Sequence, residues 1–182
     1  MTTTTAPTLS TGTWTIDTSH SEIGFTVRHL GLSKVRGRFN TFSGTVQVAD
    51  ELASSAVEAT IALASVDTNN EQRDGHLKST DFFDVETRPD MIFRSTSIDV
   101  DEGILRGDLT VNGITKPVTL EVELHGVAVD AYGTTRAGLS ASTAIKRSDF
   151  GIDFNVPLDA GGVLIGNTIN VELEIQLVPG EG

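Results

Sequence analysis

Val118-Thr119-Leu120-Glu121-Val122-Glu123-Leu124 alternates apolar and polar residues without a break. Successive side chains of a β-strand point to opposite faces, so this run reads as a strand with one oily face and one wet face. The same period recurs along the chain. Ile23, Phe25 and Val27 alternate with Gly24, Thr26 and Arg28. Val57, Ala59, Ile61 and Leu63 alternate with Glu58, Thr60 and Ala62, and Val171, Leu173, Ile175 and Leu177 with Glu172, Glu174 and Gln176. Phe42 to Val48, 92–100, Leu105 to Val111 and 136–146 complete the set. Turn signals separate the runs: Asp101-Glu102-Gly103, Asn112-Gly113 and Asp130-Ala131-Tyr132-Gly133. Asn-Gly is the strongest of these, because both residues tolerate positive φ. Pro117 sits near a strand start, where its missing N–H does least harm. The reading is an all-β chain of about eight to nine strands with one helical insert.

Strands with one oily face must hide it, either in a two-sheet sandwich with a filled interior or in a barrel with room for a ligand. Periodicity does not choose between them. The 136–146 strand carries Gly138, Ser140, Ser142 and Ala144 on one face and Ala137, Leu139, Ala141, Thr143 and Ile145 on the other. Neither face is bulky. Small inward side chains leave space for a cavity, unless large neighbours such as Phe93 or Phe150 fill it.

At 182 residues the chain suits one domain. The Thr-rich residues 1–12 read as a flexible tail and 13–182 as a single domain. The net charge is −12, a field that disfavours nucleic acid and anionic lipid surfaces. Arg28, Lys34, Arg36 and Arg38 lie close together, and the plain reading is a solvated strand pair. With no cysteine there is no disulfide, thiolate metal site or cysteine nucleophile. The start lacks a basic region followed by an apolar run, so a cytoplasmic protein is expected, and a periplasmic or secreted one only if a signal has been removed. No apolar stretch is long enough to span a bilayer, and no stable membrane insertion is expected.

The segment from Ser65 to Val85, SVDTNNEQRDGHLKSTDFFDV, breaks the strand rhythm with a polar, helix-prone insert, helical over about 69–83. Phe82 and Phe83, flanked by Asp81 and Asp84, are expected to dock on the barrel as a pore lid or a plug. The 154–166 segment is long for a hairpin loop and reads as a gate or a cover for a sheet edge. His20, His29, His76 and His125 lack metal-ligand spacing, so no metal and no cofactor are expected. Arg73, Asp74 and His76 read as a structural polar network, with His20 or Asp17 as partners. Ser19-His20-Ser21 is read as strand, on which adjacent side chains diverge, so it is not a nucleophile–base pair. No nucleophile elbow, P-loop or dinucleotide fingerprint occurs, and no catalytic residue is nominated.

Several separated motifs resemble the YceI-like family: Trp14-Thr15-Ile16-Asp17, Phe25-Thr26-Val27-Arg28-His29, the insert itself, Gly107 to Val118, and Arg147-Ser148-Asp149-Phe150-Gly151. The resemblance covers nearly all of the chain after the tail. It implies an extended antiparallel eight-stranded lipocalin-like β-barrel around a long hydrophobic pore. It implies binding, storage or transport of a long-chain isoprenoid lipid, either a polyprenyl chain or an isoprenoid quinone. Some members of the family hold fatty-acid-type chains, and an enzyme acting on an apolar substrate is the alternative from another class. A filled sandwich serving as an interaction protein is the third reading. Many members are exported. The family offers no catalytic residues to carry over, so the pore lining is nominated from alternation: Phe25, Val27, Phe42, Ile61, Leu63, Phe93, Leu109, Leu120, Val122, Leu139 and Leu173, with Phe82 and Phe83 from the insert. The expected partner is a long-chain isoprenoid or similar lipid, with no nucleic acid and a possible homodimer.

Overall fold

The computed structural model describes residues 9–158 and 164–180. Eleven β-segments appear in chain order: β1 (Gly12–Ile16), β2 (Glu22–His29), β3 (Ser33–Phe39), β4 (Phe42–Val48), β5 (Ala56–Ala62), β6 (Val66–Asp67), β7 (Asp90–Asp99), β8 (Ile104–Val111), β9 (Ile114–Val129), β10 (Thr135–Lys146) and β11 (Ile165–Pro179). One helix, α1 (Glu71–Leu77), lies between β6 and β7.

Pairing registers reduce the eleven segments to eight long strands. β1 and β2 both pair with β11, at Trp14↔Pro179 and Ile23↔Leu173. On their other side β1 pairs with β4 and β2 with β3. β5 pairs with β4 and β6 with β3. Thus β1/β2, β3/β4 and β5/β6 are each one strand with an interruption. With β7 to β11 they close an antiparallel barrel of eight, β11 returning to β1/β2. Closure removes sheet edges that would otherwise invite pairing with another chain.

The three interruptions sit side by side, and their freed backbone groups find partners. Asn40 N–H donates to Ser65 O at 3.2 Å and Ala62 N–H to Thr41 O at 3.0 Å. Leu63 N–H donates to Pro89 O at 2.9 Å, and Asp17 N–H to Gln176 O at 2.9 Å. A short 3-10 turn, Thr18–His20, forms the first interruption because the Asp17 side chain accepts from Ser19 N–H at 3.1 Å. Ser19-His20 is therefore turn, not strand as its sequence suggests. A polar side chain that satisfies a nearby N–H competes with the ladder.

The barrel has two distinct ends. The lower end carries the 30–32 hairpin, the insert, the Asn112-Gly113 turn, residues 147–158 and the start of β11. The upper end carries the 49–55, 100–103 and 130–134 connections and the first and last described residues. Packing there is tight: Trp14, Val48, Ala137, Ile175 and Leu177 form a buried cluster, and Trp14 is only 2% exposed. Residues 9–11, assigned to the tail from sequence, belong to this end. Leu9 packs on the cluster and Ser10 O accepts from Trp14 Nε1 at 2.8 Å.

The helix is shorter than the sequence suggests. Asn70 caps it by accepting from Arg73 N–H at 2.9 Å, and residues 79–87 continue as turns. Phe83 N–H donates to Leu77 O at 3.0 Å and Val85 N–H to Lys78 O at 3.1 Å, folding the chain back on the helix end. Those bonds, and the docking of the Phe pair, outweigh helix propensity over 78–83.

Candidate functional site: an apolar cavity along the barrel

A cavity of about 1210 Å³ occupies the barrel interior. Its lining on β11 runs from Ile165 to Leu177, which at roughly 3.3 Å per residue is about 40 Å of strand. Ligand pockets commonly fall between about 300 and 1,000 Å³, so this one is large. A dry cavity of about 150 Å³ holds one benzene. On that scale the space matches on the order of forty to fifty carbon atoms.

The interior stays open because bulky rings lie along the wall. A Cβ placed on Gly37 would stand 2.3 Å from Phe25 Cζ, and one on Gly107 would stand 2.4 Å from Phe93 Cζ. Each ring covers a neighbouring strand's glycine instead of crossing the lumen. On β10 the inward Leu139, Ala141, Thr143 and Ile145 also line the space. Phe93 and Phe150 contribute to the wall but do not fill the room those small residues leave.

Eleven of the thirteen residues nominated from sequence face this cavity: Phe25, Val27, Ile61, Phe82, Phe83, Phe93, Leu109, Leu120, Val122, Leu139 and Leu173. Phe42 and Leu63 do not. They are 8% and 0% exposed and pack with Ile23, Phe39, Ile61 and Val66. Leu63 opens the 3-10 turn that interrupts its strand, and Phe42 is the first residue after the 40–41 interruption. Phe42 keeps the inward parity of its partner Ile61 but is covered by that cluster, whereas strict alternation ends at Leu63. Sequence reasoning missed Phe39, Met91, Phe150, Ile152 and Phe154. Phe39 continues the β3 alternation through Val35 and was within reach. Phe150 to Phe154 leave regular structure, so no periodicity marks them.

Phe82 and Phe83 separate on docking. Phe82 packs with Phe93, Leu109 and Phe150, while Phe83 meets Phe39 edge-on at 6.0 Å between ring centres. Both line the lower end of the cavity. The central part of the 154–166 segment, residues 159–163, lies outside the described residues.

Polar groups reach the lining mainly at the lower end, through Arg28, His29, Thr68, Asn70, Gln72, Arg73, His76 and Arg147, and at the upper end through Ser55 and Asp99. Arg147 is 8% exposed. Its Nε donates to Gly166 O at 3.0 Å, Nη1 to Ile152 O at 3.2 Å and Phe154 O at 3.1 Å, and Nη2 to Ile165 O at 3.4 Å. Burial pulls its pKa below the usual guanidinium value, with Asp153 opposing. This side chain ties residues 152–154 to the start of β11.

The insert's polar residues form two local groups. Asp74 accepts from Thr68 N–H at 2.9 Å, and Arg73 Nε donates to Thr68 Oγ1 at 2.8 Å. His76 Nε2 meets Asp81 Oδ2 at 2.8 Å, its ring edge-on to Phe82 and Phe154. Neither group reaches His20 or Asp17, which the sequence reading offered as partners. Those two belong to a separate network with Arg136, whose Nη1 contacts Asp17 Oδ2 at 2.5 Å and whose Nε contacts Asp130 Oδ2 at 2.8 Å. The Ser19 hydroxyl, His20 and Arg136 hold the Asp17 carboxyl far below the usual carboxylate range.

Ser19, His20 and Asp17 do come together, yet not as a proton relay. Ser19 Oγ donates to Asp17 Oδ1 at 2.7 Å, and His20 offers the same Nδ1 to Ser19 and to Asp17. A relay needs hydroxyl and carboxylate on opposite ring nitrogens. Among the described residues no three His, Asp or Glu side chains are grouped to hold a metal ion, and no helix is long and apolar enough to cross a membrane.

Residues 14–177 match the model of the YceI-like domain. Protein YceI of Escherichia coli O157:H7 is 45% identical over 136 residues, covering 73% of this chain and 71% of that one. A Campylobacter jejuni YceI crystal structure superposes with a TM-score of 0.69 at 32% identity, covering 91% of this chain and 96% of that chain. A polyisoprenoid binding domain from Saccharophagus degradans, at 16% identity, shares the fold with a TM-score of 0.71 over 92% of this chain and 98% of its own. The match over nearly the whole barrel, together with the sequence identity, settles the family: this chain belongs to the YceI-like proteins.

Proposed function

We propose that this protein holds one long-chain isoprenoid lipid, a polyprenyl chain or an isoprenoid quinone, in the barrel cavity and carries or stores it. The observation that carries the reading is the cavity itself: elongated, about 1210 Å³, and walled by aliphatic and aromatic side chains along its middle. Each 100 Å² of apolar surface withdrawn from water returns about 2.5 kcal/mol. A chain of some forty carbons offers several times that area, enough to offset the cost of association and frozen torsions. Affinity then needs no charged anchor, and selectivity follows the length and width of the pore. The Saccharophagus degradans domain of the same fold is named for polyisoprenoid binding, which supports this ligand class.

Polarity along the cavity orients the ligand. The more polar lower end, with Arg147, Arg73 and His76, suits a head group, and the apolar middle suits the tail.

Organic extraction of protein purified from its own host, followed by mass spectrometry, tests the proposal. A bound isoprenoid at near one per chain is expected. Leu109→Glu or Val122→Glu places a carboxylate in the oily wall and should abolish lipid retention while strand content by circular dichroism persists. Retention at the wild-type level would overturn the reading.

A further inference from the structure

We propose that the tip of the β2–β3 hairpin is a docking surface for an anionic lipid bilayer at the lower mouth of the barrel. From Ile23 to Ala49 there is no Asp or Glu, in a chain whose net charge is −12. That same stretch carries Arg28, Lys34, Arg36 and Arg38, all exposed. Register places them together on the outer face, with Arg28 opposite Lys34 and Arg36 opposite Thr26. Arg38 lies 3.9 Å from Asp67, and no ion pair among the described residues engages Arg28, Lys34 or Arg36. Across the sheet, Asp67 stands opposite Arg38, and on the other side Glu172, beside Gly24, is two strands from Arg38.

Between these bases the chain exposes leucines. Leu32 is 83% exposed and Leu30 39%, and Leu30 N–H donates to Leu164 O at 2.8 Å, beside the cavity lining. The backbone there breaks a local rule. Among the described residues four non-glycines have positive φ; three are Asn69, Asp84 and Asn112, which tolerate it, and the fourth is Leu30 at 57°. Asn at this turn would relieve the strain, so a leucine here keeps an apolar side chain outward at a cost to the fold.

An apolar tip flanked by unpaired bases suits a bilayer carrying negative head groups, with the leucines entering the interface and the bases meeting phosphates. At physiological salt the Debye length is about 8 Å, so the acidic remainder of the molecule is largely screened from a surface touched only by this hairpin. A lipid leaving the bilayer there would enter tail first and keep its head at the polar rim. That purpose rests on the carrier reading, whereas the docking itself does not.

Sedimentation with vesicles tests it, using phosphatidylglycerol/phosphatidylcholine mixtures against phosphatidylcholine alone. Wild-type protein should pellet with the anionic vesicles only, and less as salt rises. Lys34→Glu with Arg36→Glu should weaken this by at least about thirtyfold. Leu32→Ser should weaken it less. Leu30→Asn should lower vesicle binding while raising Tm, so that its loss of binding cannot be unfolding. No pelleting by wild type, equal pelleting with neutral vesicles, or unchanged binding by the double charge reversal would each overturn the proposal. So would a salt-sensitive dimer by light scattering, lost in the double variant and unaccompanied by vesicle binding, which would assign the hairpin to a second copy of this chain. Extracted lipid from the same preparations is expected to be unchanged in the variants. Its absence from wild type would count against the carrier reading and leave the docking result standing.

Discussion

The two ends of the barrel are closed in different ways. The upper end is packed on one side by side chains: Trp14, Val48, Ile175 and Leu177 form one cluster, and regular strands hold them. Its connections carry Asp50, Glu51, Asp101, Glu102 and Asp130 and no Lys or Arg. The lower end is sealed by irregular backbone, held by Arg147 against four carbonyls and by a helix of seven residues that seats two Phe rings. Its hairpin is basic. Apolar packing makes a rigid stop. Hydrogen-bonded irregular chain makes a rim that is polar, shaped and able to differ locally from the barrel. A barrel that must admit an oily molecule gains from having one end of each kind.

The strongest way to break this contrast is at Trp14. Trp14→Ala removes the largest side chain of the upper cluster and should cost about 3–5 kcal/mol in urea unfolding. Hydrogen exchange should speed first in β1, β4 and the end of β11. Arg147→Ala should cost about 3 kcal/mol, because it leaves buried carbonyls without a donor. Its exchange signature should be confined to the lower end, and bound lipid should fall. If both variants loosen the same strands, the ends are not independent.

Gly37→Ala sharpens the account of the lumen. The new methyl meets only the Phe25 ring, which must swing inward. A loss of about 1–2 kcal/mol is expected, with a smaller extracted lipid load. Unchanged load would mean that the ring's position against the wall does not set the space.

The smallest effect concerns acid. The folded-state pKa of Asp17 lies below its unfolded value of about 4. The folded state therefore favours the carboxylate. This group contributes stability above roughly pH 4, and that contribution is lost as pH falls from there toward the folded-state value. Asp130, lowered chiefly by its bond from Arg136, acts in the same sense. Asp17→Asn should lower stability at neutral pH and flatten the fall below pH 4, as followed by Tm across pH.

Period-two alternation in β5, β9 and β11 determined the strands and which face of each turns inward, because side-chain direction in a strand is a local property. It therefore placed most of the lining. It does not reach Leu63, where the strand breaks into a 3-10 turn, and it does not show that Phe42, though on the inward face, is covered by its neighbours. It was silent on Phe150 to Phe154, whose positions depend on Arg147 reaching carbonyls up to nineteen residues away. Alternation also left sandwich and barrel open, since both demand the same one-sided strands. Closure was decided in three dimensions, by β11 pairing with β10 on one edge and with β1 and β2 on the other. The hollow interior was decided there too, by rings that find glycines on the neighbouring strand of a hairpin, a contact that depends on register and that alternation alone does not record.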